Sequence, residues 1–397
     1  MQEIFSFLFI FFYTLPVCII AMLQIKHIKA NSKAVILEES DFLIAKNYAL
    51  INQYFSIIEA IMSGILFVFW LHFGLNLLDK IIVLENNFIR EIILVVTFLL
   101  INSIVSLPLE AYKKLVIDKS FGFSKTSTKL YLLDTLKSFI MLVVFATLIS
   151  MPLIYLIENV KSWWIYGFLF LLCVAILANL IYPTIIAPLF NKFTPLDDES
   201  LKAKITNMMD SVGFKANGIF VMDASRRDGR LNAYFGGLGK SKRVVLFDTL
   251  LSKVSQNELL AILGHELAHF KHKDLINNIF IMALLLFALF FIAGNLPNSI
   301  FNSIPKNGAN TIIILILISS FISFYFMPII NYFSRKAEYK ADSFGSELTN
   351  KQDLGSALVK LINENKAFPY SHKVFIFFYM SHPPLIERLK ALDYNDY

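Results

Sequence analysis

Cysteine is nearly absent: the chain has 2 in 397 residues, Cys18 and Cys173, each inside an apolar run. That excludes a disulfide framework and a cysteine-based metal site. Charge is scarce as well, at 17% of residues, and the net +6 is modest and unevenly placed, so nucleic acid is not the expected partner. Histidine is rarer still, with 7 in the chain. The first residues lack the basic stretch that opens a secretory signal, and the apolar run there is followed by Lys26 and Lys29, so it reads as a retained first span. No internal repeat or low-complexity tract is evident.

Apolar residues fill the space that charge leaves. They make up 56% of the chain, with 39 Phe, and the mean hydropathy is +0.62. Soluble domains are rarely more than about half apolar, so the composition predicts a polytopic membrane protein in a lipid bilayer. Seven runs are long enough to span: Ile4–Leu23, Phe55–Leu78, Ile92–Leu109, Phe139–Leu156, Trp163–Leu189, Ile276–Gly294 and Thr311–Phe333. Pro183 and Pro188 interrupt the fifth, which predicts a kink or tilt.

Loop charge sets the expected orientation. The first loop carries Lys26, Lys29, Lys33 and Lys46, and the third carries six lysines from Lys113 to Lys137. The alternate loops hold only Lys80 and Arg90, then Lys161, then Lys306. The N-terminus is therefore expected outside, and the C-terminus and the segment Asn191–Asp274 in the cytoplasm. That segment reads as a small α/β unit: a helix at Leu201–Val212, strands at Gly218–Ala224, Leu231–Phe235 and Arg243–Asp248, a turn at 236–242, and a helix from Ser255 to Lys273. Ser255 with Glu258 three residues on is a capping box. Residues 1–190 would form a five-span membrane domain, and residues 191–397 the α/β unit with two further spans and a tail.

The last of these helices carries His265-Glu266-Leu267-Ala268-His269. Two histidines four apart project from one helix face and can reach a single Zn²⁺, while the Glu beside the first can take a proton from water. A catalytic site needs a third protein ligand. Six residues after His269 stands Leu275, which cannot serve, and His272 reads better as an exposed helix-end residue. After Glu266 the next Glu is Glu338, with only Asp274 as an acid between. Glu338 shares a helical face with Arg335 and Asp342, just past the seventh span and on the side of the His box. An ordinary charge ladder would look the same in isolation; beside the box, Glu338 is the expected third ligand. Asp342 is then the expected acceptor for a ligand imidazole N–H, and Arg335 an anchor for Glu338 or Asp342 or a donor to the oxyanion.

These stretches resemble the integral-membrane zinc metalloproteases of the CAAX prenyl protease type I family. The resemblance runs through Phe121-Gly122-Phe123-Ser124-Lys125-Thr126, Ala187-Pro188-Leu189-Phe190-Asn191-Lys192, Asn232-Ala233-Tyr234-Phe235, Lys242 to Leu250, the His box, Ser334 to Asp342, and Ser381-His382-Pro383-Pro384. It implies seven helices around a large intramembrane chamber, capped by the zinc domain. It also implies removal of a C-terminal tripeptide from prenylated proteins and, in some members, a second, upstream cut. By motif, His265, His269 and Glu338 would bind one Zn²⁺ per chain and Glu266 would be the base. His382 would act near the metal on the substrate, and Asn232, Ala233 and Tyr234 would align the peptide along a strand edge. One position departs: the family commonly has His two residues before the Asn-Ala pair, where this chain has Arg230.

The expected substrate is a peptide or protein, prenylated or not. A quality-control protease of membrane proteins would use the same metal site. A transporter with a vestigial box would line its spans with charge, and these spans are nearly free of it. The Phe-, Ile- and Lys-rich usage points to an A+T-rich bacterial genome, and so to an inner membrane with the site facing the cytoplasm.

Overall fold

The computed structural model describes residues 2–237, 242–302 and 304–395. Among the described residues, seven helices are long and apolar enough to cross a membrane: α1 (Gln2–Ala30), α2 (Glu39–Ile81), α3 (Asn87–Ser120), α4 (Thr128–Asn159), α5 (Trp163–Phe190), α8 (Asp274–Gly294) and α9 (Gly308–Leu348). Between them lie α6 (Glu199–Val212) and α7 (Gln256–Lys271); α10 (Lys351–Glu364), α11 (Lys373–Tyr379) and α12 (Leu385–Ala391) follow. The protein is a multi-pass α-helical membrane protein with a small sheet domain.

Most spans overrun the apolar runs that announce them, because polar caps rather than hydropathy stop a helix. Asn86, Ser127 and Asn307 accept from the backbone N–H of Ile89, Leu130 and Asn310 at the starts of α3, α4 and α9. α9 is the extreme case: its 41 residues extend about 60 Å, roughly twice a hydrocarbon core. Its first turn is held by Glu91 of α3, which accepts from Ala309 N at 3.0 Å. The kink expected in α5 is a π-helical turn at Tyr182–Ile186, where Pro183 removes a donor from the ladder.

The apolar core of the bundle is built from α2, α3, α4, α8 and α9, around Trp70, Phe98, Ile154, Phe290 and Ile313. Between α1, α2, α3 and α9 the helices part around a chamber of about 870 Å³. Its wall carries Gln53, Glu59, Ser63, Asn102 and Glu110, so the polar side chains of these spans face inward.

The sheet has strands β1 (Phe193–Pro195), β2 (Ile219–Met222), β3 (Ala233–Gly236) and β4 (Arg243–Phe247), in the order β1-β2-β4-β3. β2 and β4 are parallel, and the outer pairs are antiparallel. Strand period sorts β4 into two faces: Val244 and Leu246 pack with Ile205 of α6 and Leu263 and Leu267 of α7, while Val245 joins Met222, Tyr234 and Phe247 on the other. β3 is an edge strand, shorter than the run Leu231–Phe235 at its start. The turn expected at 236–242 falls partly on 238–241, outside the described residues.

Candidate active site

α7 starts where the sequence says it should. The Ser255 side chain accepts from Glu258 N, and the Glu258 carboxylate accepts from Ser255 N at 2.7 Å. Ser356 and Lys360 of α10 donate to the same carboxylate, each at 2.7 Å. Burial alone would raise the Glu258 pKa, but these bonds overcome it and bring the group down to about 2. At the residue just before the His box, α7 crosses α9 at glycines: a Cβ on Gly264 would lie 3.4 Å from the Gly345 backbone. This close crossing lays α9 across the face that bears the histidines, with Glu338 two turns earlier along it.

The ligand atoms of His265, His269 and Glu338 all lie within 4.8 Å of one another. His265 Nε2 is 3.4 Å from Glu338 Oε2, and His269 Nε2 is 3.4 Å from Glu338 Oε1. The other nitrogen of each ring is held by an acid: His265 Nδ1 by Asp342 at 2.9 Å, His269 Nδ1 by Asp274 at 2.8 Å. With each Nδ1–H donated to a carboxylate, each Nε2 lone pair points into the cluster. Arg388 of α12 braces the far side, donating to Asp342 through Nε at 2.8 Å and through a terminal nitrogen at 2.7 Å.

The cluster is short of positive charge at its centre. Burial by itself would lower the His265 pKa, but its bonds to Asp342 and Glu338 outweigh that and push it up to about 9. His269 moves up the same way, against its burial, through Glu338 and Asp274. Glu338 is 4% exposed, and its Oε2 makes no well-formed hydrogen bond, only ion-pair contacts with His265 Nε2 at 3.4 Å and Arg388 at 3.5 Å. A divalent cation among two imidazoles and this carboxylate supplies the missing charge and the missing partner, so the residues fit a metal. Glu266 is pushed up from the usual carboxylate range, mainly by burial, with His265 and His269 pulling the other way.

Other residues singled out in the sequence fall into two groups. His382 comes to the cluster, with Nε2 3.3 Å from Glu338 Oε1 and Nδ1 2.9 Å from Ser381 Oγ. Its side chain is 61% exposed, but the exposed face lines a cavity of about 680 Å³ that also takes in His265, Glu266 and Glu338. Desolvation by that wall lowers its pKa. Asn232 and Ala233 line the same cavity. The Tyr234 ring turns to the opposite face of the sheet, against Phe247 at 6.4 Å between centroids.

Arg335 corrects the reading from sequence. It touches neither Glu338 nor Asp342 but donates to the carbonyls of Ile376 and Met380 at 2.9 and 2.7 Å, fixing the segment that leads to His382. Its expected place belongs to Arg388, which was missed. A signal for it existed: Leu385, Arg388, Leu389 and Leu392 are spaced as one buried helical face, and a lone Arg among leucines demands a carboxylate partner. Asp274 was seen only as an acid and not as the partner of His269. His272 stays outside the cluster, with its ring near Phe344. Arg230 lines the cavity and donates to the Tyr48 hydroxyl at 2.8 Å and to Asp228 at 3.2 Å, tying the sheet domain to the membrane helices.

Residues 195–396 match the model of peptidase family M48, and residues 20–192 match that of the CAAX prenyl protease N-terminal domain with five membrane helices. The chain is 32% identical over 353 residues to CAAX prenyl protease 1 homolog of Mus musculus, covering 78% of this chain and 74% of that one. It is 31% identical over 408 residues to CAAX prenyl protease 1 of Saccharomyces cerevisiae, covering 90% and 87%. The crystal structure of S. mikatae Ste24p superposes with a TM-score of 0.87 at 28% identity, over 99% of this chain and 98% of that one.

Proposed function

The chain belongs to peptidase family M48 and its CAAX prenyl protease 1 branch, and from that membership we propose that it is a zinc endopeptidase acting on membrane-held peptides, removing the C-terminal tripeptide of prenylated chains. The observation that carries the reading is the convergence of His265, His269 and Glu338 within 4.8 Å beside Glu266. Two imidazoles and one carboxylate are a donor set that suits Zn²⁺, one per chain, and three protein ligands leave a position open. When bound, zinc supplies Lewis acidity, which acidifies water and polarises the scissile carbonyl.

The chain's own groups do the rest. Glu266, its proton affinity raised by burial, takes the proton from water and passes it to the leaving amine. His382 Nε2 faces the same point and donates to the developing oxyanion. The free edge of β3 starts at Ala233 in the cavity wall, so an extended substrate adds there by main-chain hydrogen bonds from Asn232 through Tyr234. Asp342 and Asp274 keep both imidazoles in the ligating tautomer, and Arg388 keeps Asp342 charged.

Both arms of the cluster are tied to the bilayer: α8 begins five residues after His269, and Glu338 lies on the continuation of α9. A prenyl chain brings substrate to that surface at about 0.8 kcal/mol per buried methylene. The test is mass spectrometry of products from a prenyl-cysteine peptide and its unmodified twin, with purified protein in liposomes. A much higher kcat/KM for the prenylated peptide is expected. Equal rates would move the reading to a quality-control protease.

The same proposal includes the division at residues 190 and 191 and a cytoplasmic site, supported by the lysine-rich first and third loops. A bacterial inner membrane rests on composition alone, and the relatives named above are eukaryotic. In a background with Cys18 and Cys173 replaced, Lys202→Cys should resist an impermeant thiol reagent in intact cells while Asn86→Cys reacts. Labelling of Lys202→Cys from outside would invert the topology.

A further inference from the structure

The Asn232 carbonyl accepts from Phe247 N at 3.2 Å, so Asn232 faces β4. Backbone polar groups alternate along a strand, which turns those of Leu231 and Ala233 the other way, toward the edge of the sheet. Among the described residues the Ala233 carbonyl has no partner there, and the Ala233 N–H is held only by the adjacent Asn232 carboxamide, at 2.9 Å.

Leu231 is closed off. Asn365 Oδ1 accepts from Leu231 N at 2.9 Å, and Asn365 Nδ2 donates to Leu231 O at 3.3 Å. One carboxamide thus makes both bonds that a residue of a paired antiparallel strand would make. Its base is firm. Asn365 ends α10, with its N–H bonded to Leu361 O at 2.9 Å. The next residue, Lys366, pairs with Asp41 in the first turn of α2 at 2.6 Å, and Phe368 packs on Phe42 with 5.4 Å between ring centroids. Leu231, Asn232, Ala233 and Asn365 all line the cavity that takes in His265, Glu266 and Glu338.

We propose that Asn365 is a positioning residue that ends the substrate-binding edge. It stands at Leu231 in place of a substrate peptide group, so the substrate main chain is read at Ala233 and not at Leu231. By pinning Leu231 it also holds Asn232 and Ala233 in place against the metal cluster. This rests on the peptidase reading above and adds to it where main-chain recognition stops. It holds for either direction of the bound chain and for any bond that is cut.

The test reads binding first. Single N-methyl analogues of the prenyl-cysteine peptide are titrated by calorimetry into the full-length Glu266→Gln protein loaded with zinc. N-methylation of the N–H that meets the Ala233 carbonyl should weaken binding about 10-fold. N-methylation two residues further toward Asn365 should change little. Adding Asn365→Ala should shrink the first loss several-fold. In the active enzyme, Asn365→Ala should raise KM several-fold with kcat and zinc content nearly unchanged. Asn365→Ser, which is too short to reach both Leu231 groups, should do the same if the Ala variant folds poorly. Glu364→Gln, at an exposed pair with Lys253, should behave as wild type.

Equal losses at both positions would mean that substrate displaces Asn365, which overturns the proposal. So would a scan with no sensitive position, since the edge then takes no strand. A fall in zinc, kcat and melting temperature with KM and the N-methyl pattern kept would make the tie structural only. The expected pattern with no cleavage by the active enzyme would count against the peptidase reading alone.

Discussion

Gly345 of α9 presses directly on the backbone of His265: a Cβ at Gly345 would lie 2.8 Å from the His265 N. Nothing in that contact is a flexible side chain that could swing aside. The distance between the helix bearing two candidate ligands and the helix bearing the third is therefore set by the absence of a methyl group. Gly345→Ala should push α9 off α7, at a cost of about 1–3 kcal/mol in stability. It should also lower zinc content and activity together, because Glu338 moves with the helix. Metal analysis of the purified variant checks this; full zinc occupancy would show that the crossing does not govern the site.

Glu266→Gln should bind metal as the wild type does and lose turnover by at least about 10²–10⁴. The amide fills the same space but cannot take a proton. Zinc analysis and a peptide assay on one preparation decide it, and undiminished turnover would remove Glu266 as the base.

Glu338→Ala should strip the metal, whereas His272→Ala should leave it in place. The His272 ring lies against Phe344 and not in the cluster. The reverse pattern in metal content would mean the third ligand is wrongly assigned.

Asp342→Asn and Asp274→Asn each weaken the hold on one ligand imidazole, and each should lower zinc affinity about 10–100-fold. Asp342→Asn should cost stability as well, because it leaves Arg388, 9% exposed, with only Glu338 at 3.5 Å as a charged partner; breaking a buried pair outright costs about 3–5 kcal/mol, the upper bound here. Asp274 lies at a helix start and should show the affinity loss with little unfolding. Chelator competition and thermal melts separate the two effects.

Glu258 gives a pH dependence with a definite sign. Its folded pKa, about 2, lies below the ordinary 4.5. Its contribution is therefore complete above about pH 4.5 and is lost as pH falls from there toward 2. It amounts to about 3 kcal/mol at neutral pH. Glu258→Gln should be less stable than wild type at pH 7, and the gap should close on acidification. A gap that stays constant from pH 7 to pH 3 would show that the carboxylate is not what holds α7 to α10.

The sequence alone determined whatever depends on local pattern. Apolar runs of membrane length gave the seven spans, because lipid forces every backbone group into a helix. Ser255 and Glu258 gave the start of α7, because a capping box is a short-range arrangement. The four-residue spacing put His265 and His269 on one face, and the scarcity of acids between Glu266 and Glu338 brought Glu338 forward as the third candidate. What connects distant segments was decided only by the tertiary structure. Arg388 reaches Asp342 across 46 residues, and Arg335 turns to the carbonyls before His382. On a helix face an arginine has several acids within sequence reach, and which one it meets depends on the angle at which the helices cross. That angle follows from Gly264 and Gly345, two residues that offer no side chain to read and act only through how closely they let two backbones approach.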